Sequence, residues 1–315
     1  MNIRKSLLSC VITAALLGCG GGGGGSSDTS NITPSQNPGA TAVASVSLFG
    51  PTVVAPKHLA FSGGNLYVAY QSGIFVLNST GTFVTSYAVT NAVGIGVQAG
   101  HVYHTGNIIN GQDTIFEAGS LVPLLAYRSN NFDGMTFYGS NMLFVANTTN
   151  VLMYTNFLNP QLISGLGATP MSMAADTTNQ LVYLTLDNNK VGFLNPANLG
   201  AGLTVLTQTT PNKWGPLSRP NGVVVSSAGF AYVVNQGDTN GNGGYISKIN
   251  TNTGVTEVLM SDSVGDWGTL PVGFCGATGI TLDSSNENLY VTNGSCLNGY
   301  SGYGNHDRIL KIKLP

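Results

Sequence analysis

The sequence predicts an all-β fold, a six-bladed β-propeller closed by an N-terminal strand that completes the last blade. The first observation behind this prediction is a phrase that returns six times: a short apolar strand, a tight polar turn and a second strand ending in a small or amide residue. Its clearest copies begin at Pro220 and Ala277. The second observation is the composition, with only 8% charged residues, 43 glycines and turn residues between short β-branched and aromatic runs. That composition is typical of all-β proteins, and a strand-coding repeat of this period indicates a propeller.

The six copies align at one position, with 36 to 57 residues between successive copies. The aligned residues are His58, Gly94, Gly134, Ser172, Gly222 and Gly279. Each copy continues with a second and a third strand, and the first five continue with a fourth. The last copy reaches Pro315 without a fourth strand, whereas residues 42–49 have strand character and precede the first copy. We therefore expect this N-terminal segment to form the outer strand of the sixth blade, which removes an exposed sheet edge.

The N-terminal part of the sequence indicates export. The chain divides into a signal peptide at 1–18, a lipidated cysteine with a Gly/Ser-rich tether at 19–40 and the propeller at 41–315. Arg4 and Lys5 precede an apolar stretch that is too short to span a bilayer, as in a signal peptide. The stretch ends in Leu-Leu-Gly-Cys, which resembles the lipobox of bacterial lipoproteins, and the resemblance implies an acyl anchor such as palmitate on Cys19. We expect a lipoprotein on the outer membrane or the periplasmic face of a bacterial envelope, held off the membrane by the tether.

Low charge and few cysteines limit the classes of partner and of chemistry. Arg4 and Lys5 leave with the signal peptide, so nine of the 11 basic residues remain against 13 acidic ones, a net charge of −4. With no basic stripe, we expect no nucleic-acid partner. Beyond the lipobox, the cysteines are Cys275 and Cys296. In an oxidising compartment this pair predicts a disulfide, because the two residues flank neighbouring strands of blade six.

The long connections of the predicted propeller share one face, on which first strands begin and second strands end. We call it the long-loop face, and its connections are 105–112, 208–220, 236–244, 261–276 and 294–307. Four of the five lie in the last third of the chain, in blades five and six, and they carry Trp214, Trp267, Tyr300 and Tyr303. Long loops on a rigid scaffold are where binding usually resides. These aromatic side chains either bind a ligand or only pack their own loops.

Two phrases of the repeat resemble the gluconolactonase and senescence-marker family, six-bladed propellers akin to NHL-repeat proteins. Arg-Pro-Asn-Gly at 219–222, followed by Tyr232, is similar to one phrase of that family, and Phe-Asp-Gly-Met at 132–135 is similar to another. The resemblance implies a divalent metal such as Ca²⁺ in the central channel, with Asn221 and Asp133 among its ligands, and a lactonase-like or lyase-like activity.

The same residues also admit a structural role. The family completes its metal site with a first-blade glutamate, whereas the first glutamate of this chain is Glu117. One carboxylate with neutral amides is a weak cage for Ca²⁺, and Asn or Asp before Gly caps turns well. If the channel is catalytic, His58 and His104 are the candidate acid–base groups beside Asp133 and Asn221.

Three second strands end in asparagine, at Asn147, Asn235 and Asn293. If these side chains point inward, they form a polar ring at the channel mouth, which Tyr70, His104 and Thr185 would complete. Otherwise they simply start turns.

Two further clusters carry polar chemistry. Asp238, Asn240 and Asn242 match the opening of a Ca²⁺ loop, but its twelfth position is Ile249 instead of a bidentate acid, so the segment is either a metal site or a polar insertion. His306 and Asp307 are adjacent in sequence where a loop re-enters a strand. Adjacent strand residues point to opposite faces, which favours a solvated histidine and a local ion pair over joint acid–base work.

The leading functional interpretation is a lipid-anchored propeller that binds or scaffolds through the long-loop face. Its ligand would be neutral and polar, such as a glycan or peptide, because few charges are present and hydrogen bonding and stacking remain. The alternative is a metal-dependent lactonase-like or lyase-like enzyme with its site in the channel. A third interpretation is a structural partner in an envelope assembly. Fold alone does not choose between them.

Overall fold

The structure, a computed structural model, describes residues 45–70, 72–89, 91–109, 112–120, 124, 132–206, 217–236, 244–261, 277–294 and 307–315. They belong to one compact unit that runs from Gln36 to Pro315. Within these ranges, no helix is long and apolar enough to cross a membrane.

The described residues form a six-bladed β-propeller in which each antiparallel sheet is one blade. Blade one holds β2 (Pro56–Ser62), β3 (Asn65–Tyr70), β4 (Gly73–Asn78) and β5 (Phe83–Ala88), and blade two holds β6 (Ile95–Gln98), β7 (His101–Ile109) and β8 (Gln112–Glu117). Blade three holds β9 (Phe132–Tyr138), β10 (Met142–Asn147), β11 (Asn150–Thr155) and β12 (Gln161–Ile163), and blade four holds β13 (Pro170–Asp176), β14 (Leu181–Leu186), β15 (Lys190–Leu194) and β16 (Thr204–Val205). Blade five holds β17 (Pro220–Val225), β18 (Phe230–Asn235), β19 (Tyr245–Asn250) and β20 (Thr256–Ser261), and blade six holds β21 (Ile280–Leu282), β22 (Asn288–Asn293), β23 (Arg308–Lys313) and β1 (Ser45–Phe49). A single 3-10 turn, Leu199–Ala201, is the helical segment of these ranges.

The first strand of every blade lies at the centre. The strands β2, β6, β9, β13, β17 and β21 contact one another in ring order, and β21 returns to contact β2. The channel is therefore bordered by six first strands, and the later strands of each blade lie progressively outward. This order agrees with the six-bladed architecture that the repeat predicts.

The last blade takes its outer strand from the other end of the chain. β1 pairs antiparallel with β23, in a register that runs from Ser45 opposite Lys313 to Phe49 opposite Ile309. The pairing covers the backbone donors and acceptors that β23 would otherwise expose as a sheet edge.

The hydrophobic core is divided among the interfaces between neighbouring blades. Six apolar clusters lie one to each interface, including the interface between blades six and one. Second strands such as β10 and β14 are buried on both faces, because each packs against two neighbouring blades. Outer strands such as β5 are largely exposed. Each blade thus buries its apolar residues only when both neighbours are present.

Blade two has three described strands. The sequence predicts a fourth at 121–126, of which Leu124 is described. Its backbone N–H donates to the Ile115 carbonyl at 2.9 Å, from the third strand of that blade. This bond is where a fourth strand would pair.

Candidate functional site

The strand register defines an equivalent layer of side chains at the start of the six first strands. Each first strand has one residue that pairs with the second strand at an equivalent register, close to a bulge or to the start of the strand. These equivalent residues are Leu59, Ile95, Met135, Met173, Val223 and Ile280. The residues two positions earlier are Lys57, Val93, Asp133, Met171, Asn221 and Thr278. All six are half-buried. We call this set the channel layer, and it lies on the long-loop face because first strands begin there.

Between the channel layer and the paired residue lies the position at which the six sequence copies align. Four of the six residues there are glycine because the next blade packs directly against their backbone. A Cβ on Gly222 would lie 2.6 Å from the Thr278 carbonyl oxygen, and a Cβ on Gly134 would lie 2.7 Å from the Cα of Ser172. A Cβ on Gly279 would similarly approach the Lys57 carbonyl oxygen. The glycines thus allow neighbouring first strands to come into contact.

Buried threonines of three second strands hold the channel layer in place. The hydroxyl of Thr105 donates to the Asp133 carbonyl at 3.1 Å, and that of Thr185 donates to the Asn221 carbonyl at 2.7 Å. Thr292 makes the equivalent contact with the Lys57 carbonyl at 3.5 Å. These threonines belong to blades two, four and six, and the residues they hold belong to blades three, five and one. At the same register, blades one, three and five carry the buried apolar residues Ala69, Ala146 and Val234.

Thr185→Val is expected to lower the free energy of unfolding by about 1–3 kcal/mol, because it leaves the Asn221 carbonyl without its buried donor. Valine has nearly the shape of threonine, so the loss reports the hydrogen bond and not a cavity. Chemical denaturation of the wild type and the variant measures it. Thr204→Val, on the exposed outer strand β16, is the control and should stay within about 0.5 kcal/mol. Equal stabilities of Thr185→Val and wild type would contradict the role of this hydroxyl.

The channel layer has a polar arc and, in another blade, one carboxylate. Asn221, Thr278 and Lys57 follow one another around blades five, six and one, and the Thr278 hydroxyl donates to the Lys57 carbonyl. Asp133 lies in blade three, between the apolar Val93 and Met171. In a ring of six, blade three lies opposite blade six, so Asp133 and the middle of the arc belong to opposite blades.

His58 follows Lys57 and combines partial accessibility with a perturbed pKa. Its side chain is half-buried, and burial, with a smaller contribution from the Lys57 charge, lowers its pKa from 6.5 to about 4. The imidazole is therefore uncharged at neutral pH and able to accept a proton. His58 lies at the aligned position, one residue beyond the channel layer, and its predicted place in the channel stays a prediction.

His104 is not a channel residue, which corrects the sequence-based prediction. Its register partner is Ile95, so it occupies the position held by Val68, Val145 or Leu184 in other blades. The side chain is 1% exposed and its ring stacks on Phe116 with centroids 5.6 Å apart. Its Nε2 has no hydrogen-bond partner, and burial lowers its pKa to about 4. His104 is a core residue between blades.

The predicted polar ring of second-strand residues is likewise not found as an open surface. Asn147, Asn235 and Asn293 do end their strands at one register, with Tyr70, but all three asparagines are buried. The Asn235 side chain donates to the Ser247 hydroxyl at 2.9 Å and accepts the Ser218 backbone N–H at 3.0 Å. Thr185 is one residue short of this register and His104 is two short. For Asn235, the alternative interpretation as a turn-forming residue fits the contacts.

Asp307 connects blade six to the segment before blade one. Its carboxylate accepts the Ala55 backbone N–H at 2.9 Å, and its carbonyl accepts the Val53 N–H at 2.8 Å. Asp307 is therefore a structural link at the junction that closes the ring. The remaining predicted residues lie outside the described ranges: Cys19, Trp214, Asp238, Asn240, Asn242, Trp267, Cys275, Cys296, Tyr300, Tyr303 and His306.

The described channel layer does not fit a divalent cation. Ca²⁺ takes six to eight oxygen ligands and favours carboxylates, whereas the layer offers one carboxylate, one amide and one hydroxyl. Its blade-one position holds the positively charged Lys57, which repels a cation. Over the described ranges, no group of three or more His, Cys, Asp or Glu side chains could hold a metal. A Ca²⁺ site in this protein would have to draw on residues such as Asp238, outside those ranges.

Sequence reasoning missed Lys57, Thr278, Thr105 and Thr292, and it assigned Thr185 to a polar ring instead of to the Asn221 carbonyl. The signal for the threonines is present, because each follows the aligned position of its own copy by 11 or 13 residues. Lys57 and Thr278 directly precede aligned positions, as Asp133 and Asn221 do. Neither of these two residues lies in a segment that resembles the gluconolactonase family.

The sequence matches no protein-family model and no curated protein. Solved structures are similar in fold. The calcium-binding protein regucalcin from Agrobacterium tumefaciens has a TM-score of 0.62 at 12% identity, with 88% of this chain and 95% of that chain covered. A gluconolactonase from Xanthomonas campestris has a TM-score of 0.59 at 12% identity, with 86% and 89% covered. The WD40 repeats of RRP9 have a TM-score of 0.58 at 9% identity, with 88% and 99% covered.

At these identities the likeness shows the fold and leaves the activity open. A gluconolactonase, a calcium-binding protein and a WD40 protein all have folds similar to this one, so function has to be argued from the site. What the chain shares with these structures is the six-bladed β-propeller fold of gluconolactonase-like and regucalcin-like proteins.

Proposed function

We propose that the protein is a lactonase-like hydrolase that acts on a small polar molecule at the mouth of its central channel. The observation that carries the proposal is the channel layer, in which the blade-one, blade-three and blade-five residues are each held by a buried threonine. The two residues singled out by the family resemblance, Asp133 and Asn221, are both in it. The gluconolactonase among the structural neighbours adds support for this chemistry.

The chain's own residues supply the groups that hydrolysis of a lactone requires. Asp133 and the uncharged His58 are proton acceptors, and either can take a proton from an attacking water. The water oxygen bonds to the lactone carbonyl carbon, the ring C–O bond breaks, and the released alkoxide regains the proton. The Asn221 amide and the Lys57 ammonium can stabilise the negative charge on the carbonyl oxygen. No step depends on a metal, since the described layer does not provide a site for one.

The test is acid release from a panel of five- and six-membered hydroxy-acid lactones by residues 36–315, with EDTA and separately with Ca²⁺. We expect turnover in EDTA, and we expect Asp133→Asn to lower kcat by about 10²–10⁴-fold as for loss of a general base. Glu287→Gln, at an exposed position on the other face, should leave kcat unchanged. Absence of turnover with every lactone, or turnover unaffected by Asp133→Asn, would overturn the proposal. Turnover only with Ca²⁺ would overturn the metal-free mechanism and point to ligands outside the described ranges.

The second candidate function is a binding or scaffolding module for a neutral glycan or peptide, or for an envelope protein. It is favoured by the position of the channel layer, which lies on the same face as the long connections. Those connections leave and re-enter the strands at Val205 and Pro220, Asn235 and Tyr245, Ser261 and Ile280, and Asn293 and Arg308. Trp214, Trp267, Tyr300 and Tyr303 belong to those connections. Glycan-array binding that is lost in Trp214→Ala and Trp267→Ala, without lactone turnover, would support this candidate.

The location of the protein is also a proposal. We infer a bacterial envelope lipoprotein anchored through Cys19, from the signal peptide and lipobox resemblance. Labelling of expressing cells with an alkyne analogue of palmitate should tag the wild type and not Cys19→Ser. Equal labelling of the two proteins would contradict the anchor.

A further inference from the structure

We propose that the polar arc of the channel layer is a carboxylate-binding site, and that the ligand of this protein therefore carries a negative charge. The substrate part of the inference rests on the proposed function, because the charge would be borne by a lactone that keeps a free carboxylate. The anion site itself rests on Lys57 and its surroundings.

Lys57 starts from a fixed backbone position. Its carbonyl accepts the hydroxyl of Thr278 and lies 3.5 Å from that of Thr292. Its neighbour Gly279 packs against the same peptide group and has no room for a Cβ. The side chain of Lys57 is half-buried, so part of its hydration shell is replaced by protein. The backbone that carries the Lys57 side chain is thus fixed against blade six.

The Lys57 ammonium has no partner of opposite charge within the described ranges. The ion pairs there join His101 to Glu117 and Lys248 to Glu257. A half-buried ammonium without a carboxylate beside it has lost part of its hydration and gained no ionic partner in return. An ionised acceptor on a ligand makes a short, strong hydrogen bond with such an ammonium. This is the condition in which an anion, and not a neutral molecule, gains most from binding.

The surroundings of Lys57 are suited to a carboxylate. The neighbouring members of the arc, Thr278 and Asn221, are uncharged, and the Asn221 amide can donate a hydrogen bond. The one acid of the channel layer, Asp133, is in blade three on the far side of the channel. His58 is uncharged at neutral pH, because burial lowers its pKa to about 4. Lys57 therefore supplies the positive charge of the arc, and no acid of the layer adjoins it.

This inference changes the expected ligand. Low overall charge suggests a neutral polar molecule, whereas the channel layer holds one cation that has no acidic partner among the described residues. A sugar acid or another hydroxylated carboxylate has both the anion for Lys57 and hydroxyl groups for Asn221 and Asp133. A phosphate group would also be attracted to one ammonium, but one ammonium and one amide match the single charge of a carboxylate better than the double charge of a phosphate.

The test is isothermal titration of residues 36–315 with sodium glucuronate and with glucose, at constant ionic strength. The two probes share a pyranose ring and differ in one carboxylate. We expect glucuronate to bind at least tenfold more tightly than glucose, and Lys57→Gln to reduce its affinity to that of glucose. Lys57→Arg should keep most of the preference. Lys248→Gln removes a lysine that is paired with Glu257 and lies 4.3 Å from the Phe230 ring, and it should bind glucuronate like the wild type.

The outcomes separate this inference from the proposed function. Equal affinities for glucuronate and glucose, or unchanged glucuronate binding in a Lys57→Gln variant that unfolds at the wild-type temperature, overturn the carboxylate site whether or not lactones are hydrolysed. Lys57-dependent glucuronate binding without turnover of any lactone supports the site and overturns the hydrolase. If turnover is found, faster cleavage of glucaro-1,4-lactone than of glucono-1,4-lactone, abolished by Lys57→Gln, supports both. Tighter binding of inorganic phosphate than of glucuronate would overturn the choice of carboxylate.

Discussion

Gly94→Ala is expected to lower the free energy of unfolding by roughly 3 kcal/mol or more, because overpacking against backbone cannot be relieved by a side-chain rotation. A Cβ on Gly94 would overlap the Asp133 carbonyl oxygen and would lie 2.8 Å from the Thr105 hydroxyl. The substitution thus pushes apart the first strands of blades two and three and disturbs the bond that holds Asp133. For a domain of this size, the loss should lower Tm by about 6–12 °C.

The control is Gly200→Ala, in the 3-10 turn of blade four. The nearest atom to its Cβ would be the Asn198 Oδ1 at 3.8 Å. We expect its stability to stay within about 0.5 kcal/mol of the wild type. Thermal and urea unfolding measure both variants. A Gly94→Ala protein as stable as Gly200→Ala would mean that the first strands are not in the contact described.

Acidification is expected to destabilise the protein, and His104 is expected to account for a large share of the loss. Its folded-state pKa of about 4 lies below the 6.5 of an unperturbed histidine. As pH falls below 6.5 the unfolded chain takes up a proton that the buried ring refuses, so stability is complete above pH 6.5 and is lost as pH falls toward 4. For this shift the loss between pH 7 and pH 5 is about 2 kcal/mol. His58 should add to the decline in the same direction, because burial lowers its pKa as well.

His104→Leu should remove that contribution and stabilise the protein at pH 7. Leucine occupies the equivalent position in blade four, as Leu184, so the site accepts an aliphatic side chain. Removing the unpartnered Nε2 should raise the free energy of unfolding by about 1–2 kcal/mol. Urea unfolding at pH 7 and pH 5 measures both effects. His101→Gln, an exposed position on the same strand, should keep the wild-type loss; an equal loss in His104→Leu would show that His104 is not the group responsible.

The sequence by itself predicts the propeller because its signals are local. Strand, turn and glycine patterns recur in six copies, and a register of period two leaves little freedom in how each hairpin pairs. The second strands of blades one, three and six, for instance, end at the predicted Tyr70, Asn147 and Asn293. The aligned glycines were also visible in the sequence, although their packing role was not.

What the sequence could not decide is which side chains of neighbouring blades meet. His104 and His58 have the same chemistry and similarly lowered pKa values, yet His104 is buried against Phe116 in a second strand, whereas His58 stays partly exposed near the start of a first strand. The sequence predicts Thr185 in a ring with the terminal asparagines, but Thr185 is one residue short of their register and donates to the Asn221 carbonyl. Lys57 has no motif of its own in the sequence, and only the strand register shows that it is level with Asp133 and Asn221.

Repetition in the chain therefore determines the number of blades, their order and the face on which the long connections lie. Packing of the six blades is what brings residues more than 50 positions apart, such as Lys57, Asp133, Asn221 and Thr278, into one layer. The physical reason is that each blade's register is set by its own hairpins, whereas the channel exists only after six blades pack side by side. A site made by one residue from each blade carries no local spacing that a sequence could reveal.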